Sequence, residues 1–234
     1  MVNNFDKLEN ICKFEKGTYY KFVALIRKKD YKEDEKCILQ NEKGEMFVRQ
    51  WFIESKEDLE KYKQDMIDLC NACKCRLYMT LDKKSIKKTV IKMKEQLDDM
   101  IKNYCFNPEN KVSLRKLSKF SASASQMSDC SASDKYFLLD YDFGENYKED
   151  LFEDVKIIFE DSYVDVLPTL NGQHIILRRN FDPKKYFSFI NDTYCCYEES
   201  ELGKKLNVAK WNIQTFKNNL ELKENALTLV YTGF

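Results

Sequence analysis

Apolar positions along this chain follow two rhythms. Alternation with a period of two marks half-buried strands, and spacings of three and four mark amphipathic helices. The first rhythm predicts strands over Tyr20–Ile26, Cys37–Gln40 and Glu45–Phe52, with Asn41–Gly44 as the hairpin turn between the last two. Ser55 then opens a helix. With Asp58 three residues on, it makes a capping box in which each side chain can satisfy the other's backbone N–H. Leu59, Tyr62, Met66, Leu69 and Cys73 continue as a stripe. Arg76–Leu81 reads as a short strand. A longer helix runs from about Ser85 to Tyr104 on the stripe Ile86, Val90, Met93, Leu97, Ile101 and Tyr104. Lys83, Lys84, Lys87, Lys88, Lys92 and Lys94 crowd its start with no acid among them. They read as a solvated face, with contact to a nucleic-acid backbone as the alternative.

The pattern lapses from Ser118 to Asp134, a Ser/Ala-rich stretch without sustained period, which reads as a loop or flexible linker. It divides an N-terminal α+β module, residues 1–117, from a second unit, residues 135–234. The second unit begins with a strand, Tyr136–Asp140, and a helix marked by Tyr147, Leu151, Val155 and Ile158. A strand over Tyr163–Leu167 follows. Asn171-Gly172 is a strong hairpin signal, and Gln173–Arg178 is the return strand. Asp182-Pro183 supplies an N-cap and an N1 proline for a helix through Ile190. Residues 191–221 give no clear pattern, and Leu227–Tyr231 is the final strand. The order β-α-β-β-α-β is that of a ferredoxin-like, RRM-like sheet in which the first and third strands are central neighbours. The expected class is therefore α+β.

Composition narrows the function classes. Aromatics at 14% and hydrophobics at 43% suffice for a packed core. The 39 basic and 39 acidic residues cancel, which excludes a wholly basic nucleic-acid coat but leaves room for a local basic groove. No apolar run reaches the roughly 20 residues of a membrane span, and Met1 to Lys16 lacks the apolar stretch of a signal peptide. The nine cysteines, odd in number and irregularly spaced, then read as reduced thiols in a cytoplasm. Cys70, Cys73 and Cys75 read as buried thiols, not as a zinc site. Phe47, Trp51, Tyr78 and Trp211 read as core, with base stacking as the alternative. Abundant Lys, Asn, Ile and Tyr point to AT-rich coding, as in a low-GC bacterium or one of its phages.

Strand alternation assembles a candidate site. Asp140 and Asp142 share one face, as do His174, Ile176 and Arg178 on the third strand. If Leu139, Tyr141, Ile175 and Leu177 pack on helices, the acids, His174 and Arg178 meet on an open sheet face. Two carboxylates two residues apart suit Mg²⁺ or Mn²⁺, and imidazole and guanidinium suit a phosphate chain. Arg179 and Asn171 flank them. Asp140-Tyr-Asp142 also reads as a simple strand end, and His174, the only histidine, as a satisfied structural one.

"FLLDYD", Phe137 to Asp142, resembles the first motif of archaeo-eukaryotic primases, an apolar run ending in Asp-x-Asp. "TLNGQHIILRR", Thr169 to Arg179, resembles their second, a strand carrying a His that contacts the incoming nucleotide. The resemblance covers roughly Tyr136 to Tyr231. It implies an RRM-like catalytic core preceded by the family's N-terminal module, and templated nucleotide polymerisation with Mg²⁺ or Mn²⁺. Nucleoside triphosphates and a nucleic-acid template would be partners, as would replication proteins such as a helicase. The metal ligands would be Asp140, Asp142 and a third acid, for which Glu224 is the first candidate and Asp192 the second. His174, Arg178, Arg179 and Asn171 would bind nucleotide. The family's Ser-x-His stands here as Gly172-Gln173-His174.

Three functions compete on these residues. One is a primase-like nucleotidyltransferase of a phage or mobile element. The second is a non-catalytic module of the same fold that holds nucleotide or single-stranded nucleic acid. The third is a metal-dependent nuclease.

Overall fold

The computed structural model describes residues 1–27, 30, 45–106, 119–132, 135–142, 156, 159–181, 220–224 and 226–234. After a 3-10 turn and a short helix α1 (Leu8–Ile11) come strands β1 (Thr18–Arg27) and β2 (Glu45–Ile53), helix α2 (Lys56–Cys73), and strands β3 (Arg76–Thr80) and β4 (Lys84–Ser85). Helices α3 (Ile86–Phe106) and α4 (Phe120–Gln126) precede strands β5 (Tyr136–Asp142), β6 (Tyr163–Pro168), β7 (Gly172–Arg178), β8 (Leu220–Glu224) and β9 (Leu227–Thr232). The predicted strand at Cys37–Gln40, its turn at Asn41–Gly44, Trp211 and the helix through Ile190 lie outside the described residues. So does the helix predicted over Tyr147 to Ile158, apart from Lys156.

The α+β class is as expected, with the strands in two antiparallel sheets. The first runs β2-β1-β3-β9, with β4 paired to β1, and the second runs β6-β7-β5-β8. This arrangement corrects one strand. Leu227–Thr232 does not complete the second sheet but lies antiparallel to Arg76–Thr80 in the first, with Met79 opposite Thr228. The outer place beside β5 is taken by Leu220–Glu224, where Asp140 faces Glu221 and Leu138 faces Lys223. A strand's period fixes which face it buries but not which edge it joins.

Helix α2 begins as its sequence dictates. The Ser55 hydroxyl accepts from the Asp58 N–H at 3.1 Å, while the Asp58 carboxylate accepts from Glu54 N–H, one residue earlier than a capping box requires. The helix ends where Lys74 turns left-handed, with φ of 49°. Leu59, Met66 and Cys70 are its buried stripe. They join Tyr20, Phe22, Trp51, Leu77, Leu138 and Ile176 in one core that spans both sheets. Asn4 ties the sheets together, since its side-chain amide donates to the carbonyls of Pro168 and Leu229. Phe47 is 53% exposed, contrary to its expected place in the core, whereas Trp51 and Tyr78 are buried as expected.

The Ser/Ala-rich stretch is not the linker its composition predicts. Residues 119–132 form α4 and a 3-10 turn, with Ala124, Ser125, Cys130 and Ser131 buried. Lysines hold this segment down. Lys21 Nζ donates to the Ala122 carbonyl at 3.2 Å. Lys84 Nζ reaches Ser131 Oγ at 2.9 Å, and Lys88 Nζ the Ser131 carbonyl at 2.9 Å. Lys84 is thus buried, as is Lys83, which pairs with Glu15. The two do not belong to a solvated face. Ammonium groups can be buried when carbonyls, hydroxyls or carboxylates replace their water. No helix among the described residues is long and apolar enough to cross a membrane.

Candidate functional site

The pairing of β5 with β7 brings the two motifs into register. Asp140 lies directly opposite His174, and Asp142 opposite Gly172. Gly172 permits that approach, because a Cβ there would come within 1.9 Å of the Tyr141 carbonyl oxygen. Directly opposed residues share a face, so Asp140, His174 and Glu221 stand side by side across three strands.

This face is not open. His174 is only 8% exposed. Its Nδ1 lies 3.0 Å from the Thr228 hydroxyl on β9, and its Nε2 lies 3.4 Å from Asp140 Oδ1. The face that was expected to be free therefore abuts the first sheet. A cleft of about 470 Å³ remains at this junction. Asp140, His174, Glu221 and Lys223 line it from the second sheet, and Leu25, Arg27 and Tyr78 from the first.

Asp140 is the hub. Lys223 Nζ lies 2.6 Å from its Oδ2 and 3.0 Å from a Glu221 oxygen. Burial alone would raise the Asp140 carboxyl. The hydrogen bonds and charges of His174 and Lys223 outweigh it and hold the group at about 2. For Lys223, burial works against the charge, and the bonds to Asp140 and Glu221 raise its affinity for the proton. Across the cleft, Arg27 Nε donates to Glu45 at 2.8 Å and an Arg27 amino group donates to the Tyr78 hydroxyl at 3.1 Å.

The other predicted site residues fall in different places. Asp142 shares the Asp140 face but is exposed at the strand end, next to the turn that carries exposed Asn171. Arg178 also shares this face, but it pairs with Tyr136, four residues from His174 and so about 13 Å along the strand. Glu224 borders the cleft at its rim, but its side chain turns with Arg179 toward the other face of the sheet. Glu224 lies across from Phe137. Arg179 bonds Glu224 at 2.9 Å and stacks 4.8 Å from the Phe137 ring centre. Asp192 lies outside the described residues. The acid beside Asp140 is Glu221, which the sequence reading missed along with Lys223, Arg27 and Thr228. The alternation in Leu220-Glu-Leu-Lys-Glu224 was the available signal for the first two.

Hard carboxylate oxygens suit Mg²⁺ or Mn²⁺, and Asp140, Asp142 and Glu221 supply them from one face. Among the described residues, however, no three His, Cys, Asp or Glu side chains converge as a metal set. The residues as placed form an ion-pair network around Asp140 and not a ready-made metal centre. Comparison with protein-family models, curated proteins and solved structures finds no match to this chain.

Proposed function

We propose that the inter-sheet cleft is a nucleotidyl-transfer site of the primase type, which joins nucleotides on a nucleic-acid template in the cytoplasm. The observation that carries this reading is the alignment of Asp140, His174 and Glu221 on three neighbouring strands, lining a cleft that also holds Lys223 and Arg27. The strand order β6-β7-β5-β8 supports it, since it is the order of a split β-α-β, RRM-like sheet. In this reading Mg²⁺ or Mn²⁺ would arrive with the nucleoside triphosphate and would supply charge neutralisation at its phosphates. Asp140 and Glu221 are the cleft carboxylates that would lie nearest such an ion, with Asp142 exposed at the end of the same strand face. Arg27 and Lys223 supply phosphate contacts, and His174, fixed by Thr228, presents its remaining ring nitrogen beside Asp140. Such a site serves replication of a phage or mobile element alongside proteins such as a helicase.

One observation favours a second reading, in which the cleft binds nucleotide or single-stranded nucleic acid without chemistry. Asp140 already has two partners, Lys223 and His174. Incorporation of labelled nucleotide on a primed or bare template with Mn²⁺ separates the two. The proposal expects incorporation by the wild type and its loss in Glu221→Gln, with triphosphate binding retained in calorimetry. Binding without incorporation would replace it by the second reading. Cleavage of the template would replace it by a nuclease.

A further inference from the structure

Three thiols meet where α2 hands over to β3. Cys70 and Cys73 stand in the last turn of the helix, and Cys75 follows just before Arg76 opens the strand. As Lys74 turns left-handed, the Cys75 N–H donates to the Cys70 carbonyl at 3.1 Å. This closure of a helix end holds its first and last residues side by side and brings their side chains into contact. Here those residues are Cys70 and Cys75, both 0% exposed, while Cys73 is half-buried. The end of β9 covers the joint. The Gly233 N–H donates to the Cys75 carbonyl at 3.0 Å, and a Cβ on Gly233 would strike the Cys70 carbonyl. The backbone on both sides of the thiol pair is therefore fixed.

The two buried sulfurs differ in character. They share a hydrogen bond that raises Cys70, with burial adding to the effect, and that lowers Cys75 against its burial. One sulfur thus keeps its proton and the other is readied as the attacking thiolate. Buried thiols are inert where no reagent reaches them. Cys73 supplies the access, because it is partly exposed and, three residues along the helix, neighbours Cys70.

We propose that Cys70 and Cys75 are a peroxide-sensitive pair that closes to an intrachain disulfide, with Cys73 as the point of entry.

The Cys73 thiolate attacks hydrogen peroxide, becomes a sulfenic acid and releases hydroxide. The Cys70 sulfur then displaces that oxygen, its proton leaving with it as water, and a Cys70–Cys73 disulfide forms. Helical neighbours at this spacing hold their Cβ atoms about 5–6 Å apart, wider than the roughly 3.5–4.5 Å of an unstrained disulfide. The Cys75 thiolate therefore attacks the Cys70 sulfur, and Cys73 departs as a thiolate again. The Cys75 proton neutralises the hydroxide. In sum, two thiols and one peroxide give one disulfide and two waters. The sulfurs lose two electrons and the O–O bond gains them.

The test treats the native full-length protein with hydrogen peroxide, blocks the remaining thiols with N-ethylmaleimide and digests with trypsin. Cleavage after Lys74 parts Cys70 and Cys73 from Cys75. Mass spectrometry should find the 64–74 peptide joined to Cys75-Arg76, with maleimide on Cys73 and full reversal by dithiothreitol. Circular dichroism should not change. Cys73→Ser should slow formation of the link at least tenfold, and Cys75→Ser should stop oxidation at a Cys70–Cys73 bond within one peptide. Exposed Cys105 shows that the peroxide has acted. Unoxidised Cys70 and Cys75 under conditions that oxidise Cys105 would overturn the proposal. So would a Cys73–Cys75 bond, a link that forms only in denaturant, or an unchanged rate in Cys73→Ser.

Discussion

Replacing Asp140 with Asn removes a charge while keeping shape and one hydrogen-bond acceptor, so it measures what the ion-pair network contributes. The carboxyl is held at about 2 against an ordinary 3.8. At 1.36 kcal/mol per tenfold change in proton affinity, this corresponds to at most about 2.4 kcal/mol. The Asp140 side chain is 22% exposed and that of Lys223 38%, so solvent screens part of the interaction. About 1–2 kcal/mol should remain. The folded state binds this proton less tightly than the unfolded chain. The contribution is therefore complete above about pH 4 and is lost as pH falls toward 2. Urea denaturation of wild type and Asp140→Asn at steps from pH 7 to pH 3 tests the sign as well as the size. The variant should be about 1–2 kcal/mol less stable at pH 7, equivalent to about 2–8 °C in thermal midpoint for a chain of this length. The gap should narrow below pH 4. A gap under about 0.5 kcal/mol at pH 7, or one that stays constant to pH 3, would refute the reasoning.

Burial, together with the charge of Lys84, pushes the Lys21 ammonium down to about 8. Wild-type stability should therefore rise between pH 8 and 10.5 relative to Lys21→Met, as urea melts across that range would show. Gly172→Ala drives a Cβ into the Tyr141 backbone and should cost at least about 3 kcal/mol by parting β5 from β7, and loss of amide-exchange protection at these strands would locate the damage. Ser55→Ala removes the α2 cap and should lower stability by about 1 kcal/mol in the same melts, whereas Ser55→Asp should not.

Much of the candidate site could be read from alternation. The period of two in Phe137–Asp142 and Gln173–Arg178 put Asp140 and His174 on one face, and the Asn-Gly turn between β6 and β7 placed the return strand beside β6. The sequence could not show what covers that face, because burial of His174 depends on Thr228, 54 residues away. Glu224 was chosen for its position before the final strand, but a displacement of one residue puts a side chain on the other face. The Ser-rich stretch misled for a related reason. Small side chains are frequent in loops, but they also let a helix sit close to its neighbour, and here lysine ammonium groups supply the attachment. Hydropathy counts those lysines as surface and cannot register that carbonyls have replaced their water.

The position of β9 has a consequence for the order in which the chain can fold. Arg76–Thr80 pairs with residues about 150 positions later, and Val2 and Asn4 bond to Val230 and Thr232. During translation β3 must wait with one edge bare until residue 232 has left the ribosome, while β1 and β2 are already available on its other side. Such distant pairings slow folding, and a waiting edge invites association with other nascent chains. Synthesis rate and chaperone occupancy should therefore affect the yield of this protein more strongly than they affect folds whose sheets close hairpin by hairpin.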